Sequence, residues 1–242
     1  EIMPSLVGSE MCIRDRKIMS FKNGEGLHLV MTGAPGTGKG TQASVLKRRY
    51  GICHLSTGEM LREEVKKGTE IGNQLKDHLA AGGFAPDELM IKMVSNRIEE
   101  PDCKKGFILD GFPRTLKQAE VLENMLNEKG ITLNAVIEIQ VPDHIIVDRI
   151  LGRYTCMTCG ESYSDKYHKP KVPGVCDICG GTKFSRRLDD TKETIERRLE
   201  KYRNFTYPTI AYYKENGLLR SIDGNGTVEV VAERIDEALK NK

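Results

Sequence analysis

Short apolar runs bounded by turn residues alternate with longer stretches of helical period along most of this chain. Residues 27–31 form the first run and stop at the glycine-rich turn 33–40. Residues 107–109 form a second, ending at Asp110-Gly111, and residues 135–141 and 218–222 form a third and a fourth. Residues 53–55 are too short a run to assign. Between the runs, residues 41–50, 59–67, 87–99, 116–129, 143–151, 192–205 and 228–239 carry the spacing of amphipathic helices. Strands alternating with helices predict a parallel α/β sheet. In such sheets ligands bind beyond the carboxyl ends of the strands, and both 33–40 and 110–114 follow a strand directly. Residues 152–190 break the alternation and read as an inserted subdomain.

Composition narrows the class. At 242 residues the chain is one large domain, or one domain carrying insertions, and is long enough to bury a core without a disulfide scaffold. Lysine and arginine number 37 against 35 acids, so the basic excess of a nucleic-acid or anionic-membrane protein is missing. No apolar run approaches the roughly 18 residues of a membrane span. Residues 1–25 show no period and are expected to form a disordered extension, of which 1–18 read as non-native, since Met19 precedes a plausible start. Glu1, Glu10 and Asp15 argue against a transit peptide there. The seven cysteines, an odd count without a signal peptide, point to a reducing, cytoplasmic setting with no disulfide framework. Cys53 and Cys103 are therefore expected to be ordinary small residues.

The strongest chemical signal is Gly33-Ala-Pro-Gly-Thr-Gly38-Lys39, a G-x-x-x-x-G-K loop between a strand and a helix. Its glycines let backbone N–H groups turn inward, the helix N-terminus adds partial positive charge, and Lys39 brings a point charge to nucleotide phosphates. Gly40 stands where a Mg²⁺-ligating Ser or Thr usually follows, with Thr41 one place on. The metal would then be held by phosphates, water and an acid such as Asp110.

Other segments carry arginines in telling positions. In Asp110-Gly-Phe-Pro-Arg114 the Gly and Pro force a turn. Arg114 is expected to open the next helix, with Gln118 at i+4 on the same face, so that one holds a phosphate while the other reads a base edge. Arg149 and Arg153 share the same spacing at the start of the insert, and Arg187 precedes Asp189-Asp190. Arg198 falls on the buried face marked by Ile195, Leu199 and Tyr202, whereas Arg197 points away. An inward arginine needs an anionic partner.

Cys156, Cys159, Cys176 and Cys179 follow C-x₂-C-x₁₆-C-x₂-C, a spacing that presents four thiolates to one tetrahedral zinc ion. Four cysteines close the coordination shell, so such a zinc is structural. Residues 153–190 carry seven basic and five acidic side chains, and four thiolates with Zn²⁺ bring the unit to neutrality. His168 reads as a surface residue rather than a ligand, and Tyr212-Tyr213 as packing.

Taken with Ser56-Thr57-Gly58 through Arg62, these motifs occur in the order found in adenylate kinases. Over roughly residues 26–240 the chain resembles the long form of that family, with a zinc-bearing lid. The resemblance implies a P-loop kinase fold, a parallel five-stranded sheet flanked by helices, over 26–242. It places an AMP clamp at 56–85 and a lid at 153–190, with Gly82-Gly83-Phe84-Ala85-Pro86 as a hinge. It assigns ATP to Gly36, Thr37, Gly38, Lys39, Gly40, Thr41, Arg149 and Arg153. It assigns AMP to Thr57, Arg62, Ala85, Gly111, Arg114, Gln118, Arg187 and Arg198. Lys39, Asp110, Arg114, Arg153, Arg187 and Arg198 would serve the transfer itself. Implied with these are Mg²⁺ alongside ATP, a structural Zn²⁺, and ATP, AMP and ADP as substrates. A monomer with neither nucleic acid nor membrane as partner is implied as well. Two alternatives stay open: a kinase for another nucleoside monophosphate, which Gln118 and Thr57 would decide, and a zinc-ribbon nucleic-acid module on a P-loop ATPase, which the neutral charge opposes.

Overall fold

The computed structural model describes residues 26–240, except 69, 71, 74, 75, 77–84 and 188. The extension expected over 1–25, and the glycines of the expected hinge, lie outside the described residues. The main sheet contains β1 (Leu27–Thr32), β2 (Cys53–Ser56), β3 (Gly106–Asp110), β4 (Ala135–Gln140) and β8 (Leu219–Asp223). Their order is β2-β3-β1-β4-β8, and every pairing is parallel. The short run at 53–55 is thus the fifth strand. Parallel pairing with β3 supports it, information that lies outside its own sequence.

Both sheet faces are covered, which is why the strands read as apolar runs rather than as alternations. Within that rule the two-residue period still sorts the side chains. Val30, Leu109 and Val136 face one cluster, with Met90, Val94, Leu122 and Leu126. Leu29, Met31, Ile108 and Ile137 face the other, with Leu46, Val231 and Ile235. The first cluster is closed by α3 (Asp87–Ile98), α4 (Leu116–Glu128) and α7 (Pro208–Glu215), the second by α1 (Lys39–Tyr50) and α8 (Val228–Lys240). Helices α2 (Thr57–Lys67), α5 (Asp143–Leu151) and α6 (Lys192–Lys201) complete the core. The pattern expected as one helix over 192–205 divides, since α6 gives way to a π-helical turn, Tyr202–Thr206. Helix α7 was not legible because Pro208, which reads as a breaker, occupies its first turn, where a missing N–H costs nothing. Tyr213 packs in the core from α7, while the Tyr212 hydroxyl bonds Glu123.

Cys53 and Cys103 correct a sequence expectation. They form a disulfide, with Cα atoms 5.3 Å apart across a separation of 50 residues. Cys53 opens β2, and Cys103 closes the 3₁₀ turn Pro101–Cys103 just before β3. It is the β2–β3 pairing that brings them together, which no residue count can show.

The insert is a small antiparallel sheet, β6-β5-β7, made of β5 (Arg153–Cys156), β6 (Ser162–Ser164) and β7 (Phe184–Ser185). Its apolar cluster is limited to Cys156, Tyr163 and Cys176 with Tyr154 and Phe184, separate from the other clusters. Ion pairs join it to the body: Glu161 to Arg48 of α1 at 3.0 Å, and Lys166 to Asp148 of α5 at 2.7 Å.

Ile108 is fully buried in a central strand. Ile108→Ala is expected to cost about 2–5 kcal/mol, because a two-faced core cannot collapse onto the gap. Urea unfolding measures it, and a loss below about 1 kcal/mol would contradict this packing.

Candidate active site

The carboxyl ends of β1, β2 and β3 open into a cavity of about 490 Å³. Every residue proposed from the sequence as a nucleotide or transfer contact lines it. The chain leaves β1 through the glycine-rich loop. Gly36 has φ +83°, and a Cβ there would lie 2.6 Å from the Ile150 side chain, so only glycine fits. The Lys39 ammonium donates to the carbonyls of Gly33 and Ala34, both at 2.8 Å. Burial lowers it to about 8; Asp110 opposes this, and Arg114 and Arg153 add to it.

Asp110, the last residue of β3, lies with its carboxylate 3.4 Å from His54 Nε2. Burial alone would raise its carboxyl, but His54, Lys39 and Arg114 outweigh it and the group sits below the usual carboxylate range. A Cβ added to Gly40 would lie 3.4 Å from the same carboxylate. The acid therefore reaches over the place where a Ser or Thr side chain would usually stand. An oxygen donor set of Asp110 and Thr41 beside a phosphate loop suits Mg²⁺.

Arg114 does not open a helix as expected. It lies in the turn before α4, whose cap is Thr115, accepting from the Gln118 N–H at 3.2 Å. The link to Gln118 survives in another form, with the Arg114 backbone N–H donating to Gln118 Oε1 at 2.7 Å. The Arg114 guanidinium donates to the Gly111 carbonyl at 2.7 Å. Gly111 has φ +84°, and a Cβ there would lie 2.8 Å from the Thr57 hydroxyl. Thr57 is fully buried and donates to the Asp110 carbonyl at 3.2 Å. Ala85 is buried alongside.

Nor do Arg149 and Arg153 share a helix. Helix α5 stops at Leu151, and Arg153 begins β5, because Gly152 terminates the helix. Arg149 donates to the carbonyls of Thr37 at 3.3 Å and Gly224 at 3.1 Å, and lies over the Tyr167 ring at 5.2 Å. Arg153 makes a two-point contact with Asp190, at 2.9 and 2.6 Å. Arg198 bonds Asp189 and lies 3.6 Å from Asp190, so its anionic partners within the protein are carboxylates. Arg197 is exposed on the far side, as the period predicts. The guanidinium groups of Arg62 and Arg187 have no hydrogen-bond or ion-pair partner among the described residues, although the Arg187 carbonyl accepts the Asp190 N–H at 3.3 Å. Burial holds Arg62 below its usual value. Burial, reinforced by Arg153 and Arg62, brings Arg187 down to about 10. Arg153 lowers the proton affinity of Lys39 as well as that of Arg187, and all three line the one cavity.

Sequence reasoning missed several contributors. Tyr167 and His168 line the cavity from the insert, and the partly exposed His168 ring stacks on Tyr163 at 4.9 Å, outside the four-cysteine group. Asp87 donates no proton but accepts from Gln118 Nε2 at 2.6 Å. Its position at the start of a helix was visible; its partner, 31 residues away, was not.

The four insert cysteines offer sulfur atoms all within 4.8 Å of one another. Cys156 and Cys179 lie 3.6 Å apart, Cys159 and Cys176 3.5 Å. A tetrahedron with Zn–S bonds near 2.3 Å has edges of about 3.8 Å, so the thiols could hold such an ion. Both C-x₂-C turns close alike, Gly160 N–H on the Cys156 carbonyl at 3.0 Å and Gly180 N–H on that of Cys176 at 2.9 Å.

Fold and cavity define a P-loop phosphotransferase. The adenylate kinase family model matches residues 31–218. Adenylate kinase of Rhizobium rhizogenes is 50% identical over 213 residues, covering 88% of this chain and 99% of the relative. Those of Caldicellulosiruptor saccharolyticus and Carboxydothermus hydrogenoformans are 48% and 47% identical, each over 88% of this chain and over 98% and 100% of their own lengths. The chain belongs to the adenylate kinase family, and it is a nucleoside monophosphate kinase.

The lowered Lys39 gives the site a pH signature. Phosphate at the loop would restore the ammonium, so nucleotide binding above pH 8 must take up a proton. ATP affinity is expected to hold below about pH 8 and weaken toward 10.5, the usual lysine value, over the window in which the ligand-free fold itself gains stability. Titration calorimetry at pH 9 in two buffers of different ionisation enthalpy reads the uptake, and Lys39→Met should abolish it. Uptake unchanged in that variant would assign the proton elsewhere.

Proposed function

We propose that this cavity carries out reversible phosphoryl transfer from Mg·ATP to AMP, giving two ADP. The observation that carries the reading is the pair Arg62 and Arg187, whose guanidinium groups have no hydrogen-bond or ion-pair partner among the described residues, close to Arg153 and Arg198 in the same cavity. Glu59, Asp189 and Asp190 act on these two cations only from beyond ion-pair distance, and partly buried cations without a direct carboxylate contact fit a ligand that brings several negative charges.

The AMP phosphate oxygen attacks the γ-phosphorus directly, so no protein nucleophile is required, and catalysis is positioning and charge neutralisation. Lys39 and the N–H groups of residues 36–41 hold the ATP phosphates, and Arg149 flanks the ATP base. Arg62 and Arg114 hold the AMP phosphate. Gln118 and Thr57 lie by its base, which favours adenylate over other monophosphates. Arg153, Arg187 and Arg198 neutralise the group in transit. Mg²⁺, when bound, neutralises phosphate charge, and Asp110 and Thr41 would hold it or its waters. Residues 153–190 form the lid, which excludes water that would otherwise hydrolyse ATP, and 56–85 the clamp. Zinc on the four cysteines folds a lid whose own apolar cluster is too small to do so.

Initial rates with ATP against AMP, GMP, CMP and UMP test the assignment, and equal or better turnover of UMP would overturn it. Arg187→Met should lower kcat/KM for AMP about 10²–10³-fold while leaving the melting temperature of the ligand-free protein unchanged or higher, because it removes like-charge repulsion. A drop in both would make Arg187 structural. Purified protein is expected to carry about one zinc per chain by metal analysis, since four thiolates fill one tetrahedral shell. Chelation or Cys176→Ser should lower the melting temperature and leave residual activity at low temperature. Complete loss of chemistry with the lid still folded would make the metal catalytic.

A further inference from the structure

Gln118 is 2% exposed, and both ends of its amide are engaged by the protein. Its Oε1 accepts the Arg114 backbone N–H at 2.7 Å, and its Nε2 donates to Asp87 Oδ1 at 2.6 Å. Its own backbone N–H is used by the Thr115 cap. An amide has two N–H donors and two oxygen lone pairs, so one donor and one lone pair remain for the cavity that Gln118 lines.

We infer that Asp87, through its hydrogen bond to Gln118, fixes which end of that amide faces the nucleobase and is therefore a positioning residue for base selection. The inference rests on the reading of Gln118 as a base contact. A carboxylate can only accept, and the Arg114 N–H can only donate. Rotating the amide by 180° would set its oxygen against the carboxylate and its NH₂ against an N–H, leaving both partners unsatisfied. The amide thus has one allowed orientation. Its remaining donor and acceptor complement adenine, which offers an acceptor at N1 beside a donor amino group at C6. Hypoxanthine and guanine present the reverse, N1–H beside a C6 oxygen, and would need the forbidden orientation.

Asp87→Asn tests this with almost no change of shape. The new amide can itself rotate to accept or donate, so a hydrogen bond to Gln118 persists but its direction is no longer dictated. One of the two locks is lost. The readout is kcat/KM for AMP and for IMP, with ATP as donor, beside KM for ATP and the melting temperature. The expected result is a fall of about tenfold in the AMP:IMP ratio, the order of a charged hydrogen bond replaced by a neutral one. A rise in KM for AMP should accompany it, with KM for ATP and the melting temperature unchanged. Gln118→Ala, measured in parallel, separates the layers. If Gln118→Ala relaxes the ratio and Asp87→Asn does not, the role of Asp87 is overturned and the base contact stands. If Gln118→Ala leaves the ratio intact, the base contact itself fails, and the inference with it.

Discussion

Crowding of like charges at the carboxyl edge of one parallel sheet is the constraint on which the rest of this molecule depends. Lys39, Arg62, Arg114, Arg149, Arg153, Arg187 and Arg198 line a single cavity. Asp110, Asp189 and Asp190 pair with only some of them. Burial lowers the proton affinity of both Lys39 and Arg187, and the neighbouring cations lower it further. A sheet with both faces packed supplies the rigidity needed to keep these side chains in place.

Much of this was legible in the sequence because it is local. The phosphate loop needs its glycines at fixed offsets, and each C-x₂-C pair writes its geometry within a few residues. The apolar runs likewise declare strands covered on both sides. What could not be read depends on pairing across distance. Cys53 meets Cys103 only because β2 and β3 are neighbours. Gln118 meets Asp87 only because α3 and α4 pack side by side. Helical spacing also misled in two places. Arg114 and Gln118 do interact, but through a turn before the helix, and Arg149 and Arg153 are separated by a helix end at Gly152. In each case the residues line the same cavity, while the local backbone inferred for them differs from the one observed.

The small sheet inserted after α5 follows a different rule from the body. Its own aliphatic content is slight, and a ring of thiols stands where a core would be. Between insert and body the contacts include the ion pairs of Arg48 with Glu161 and Lys166 with Asp148 and the Arg149 guanidinium over the Tyr167 ring, and the insert's apolar cluster stays apart from those of the body.

That polar seam has a thermodynamic consequence. Exposed hydrocarbon is what gives protein transitions their large positive heat-capacity change. A swing of the insert away from α1 would part charges and admit water while uncovering little hydrocarbon, so its heat-capacity change would be close to zero. Its enthalpy would then be nearly constant with temperature, and the balance between its two positions would shift evenly on warming. Unfolding of the core, by contrast, follows a strongly curved stability profile. Such a movement would obey a different thermal law from the core, responding gradually to heat where the core fails abruptly.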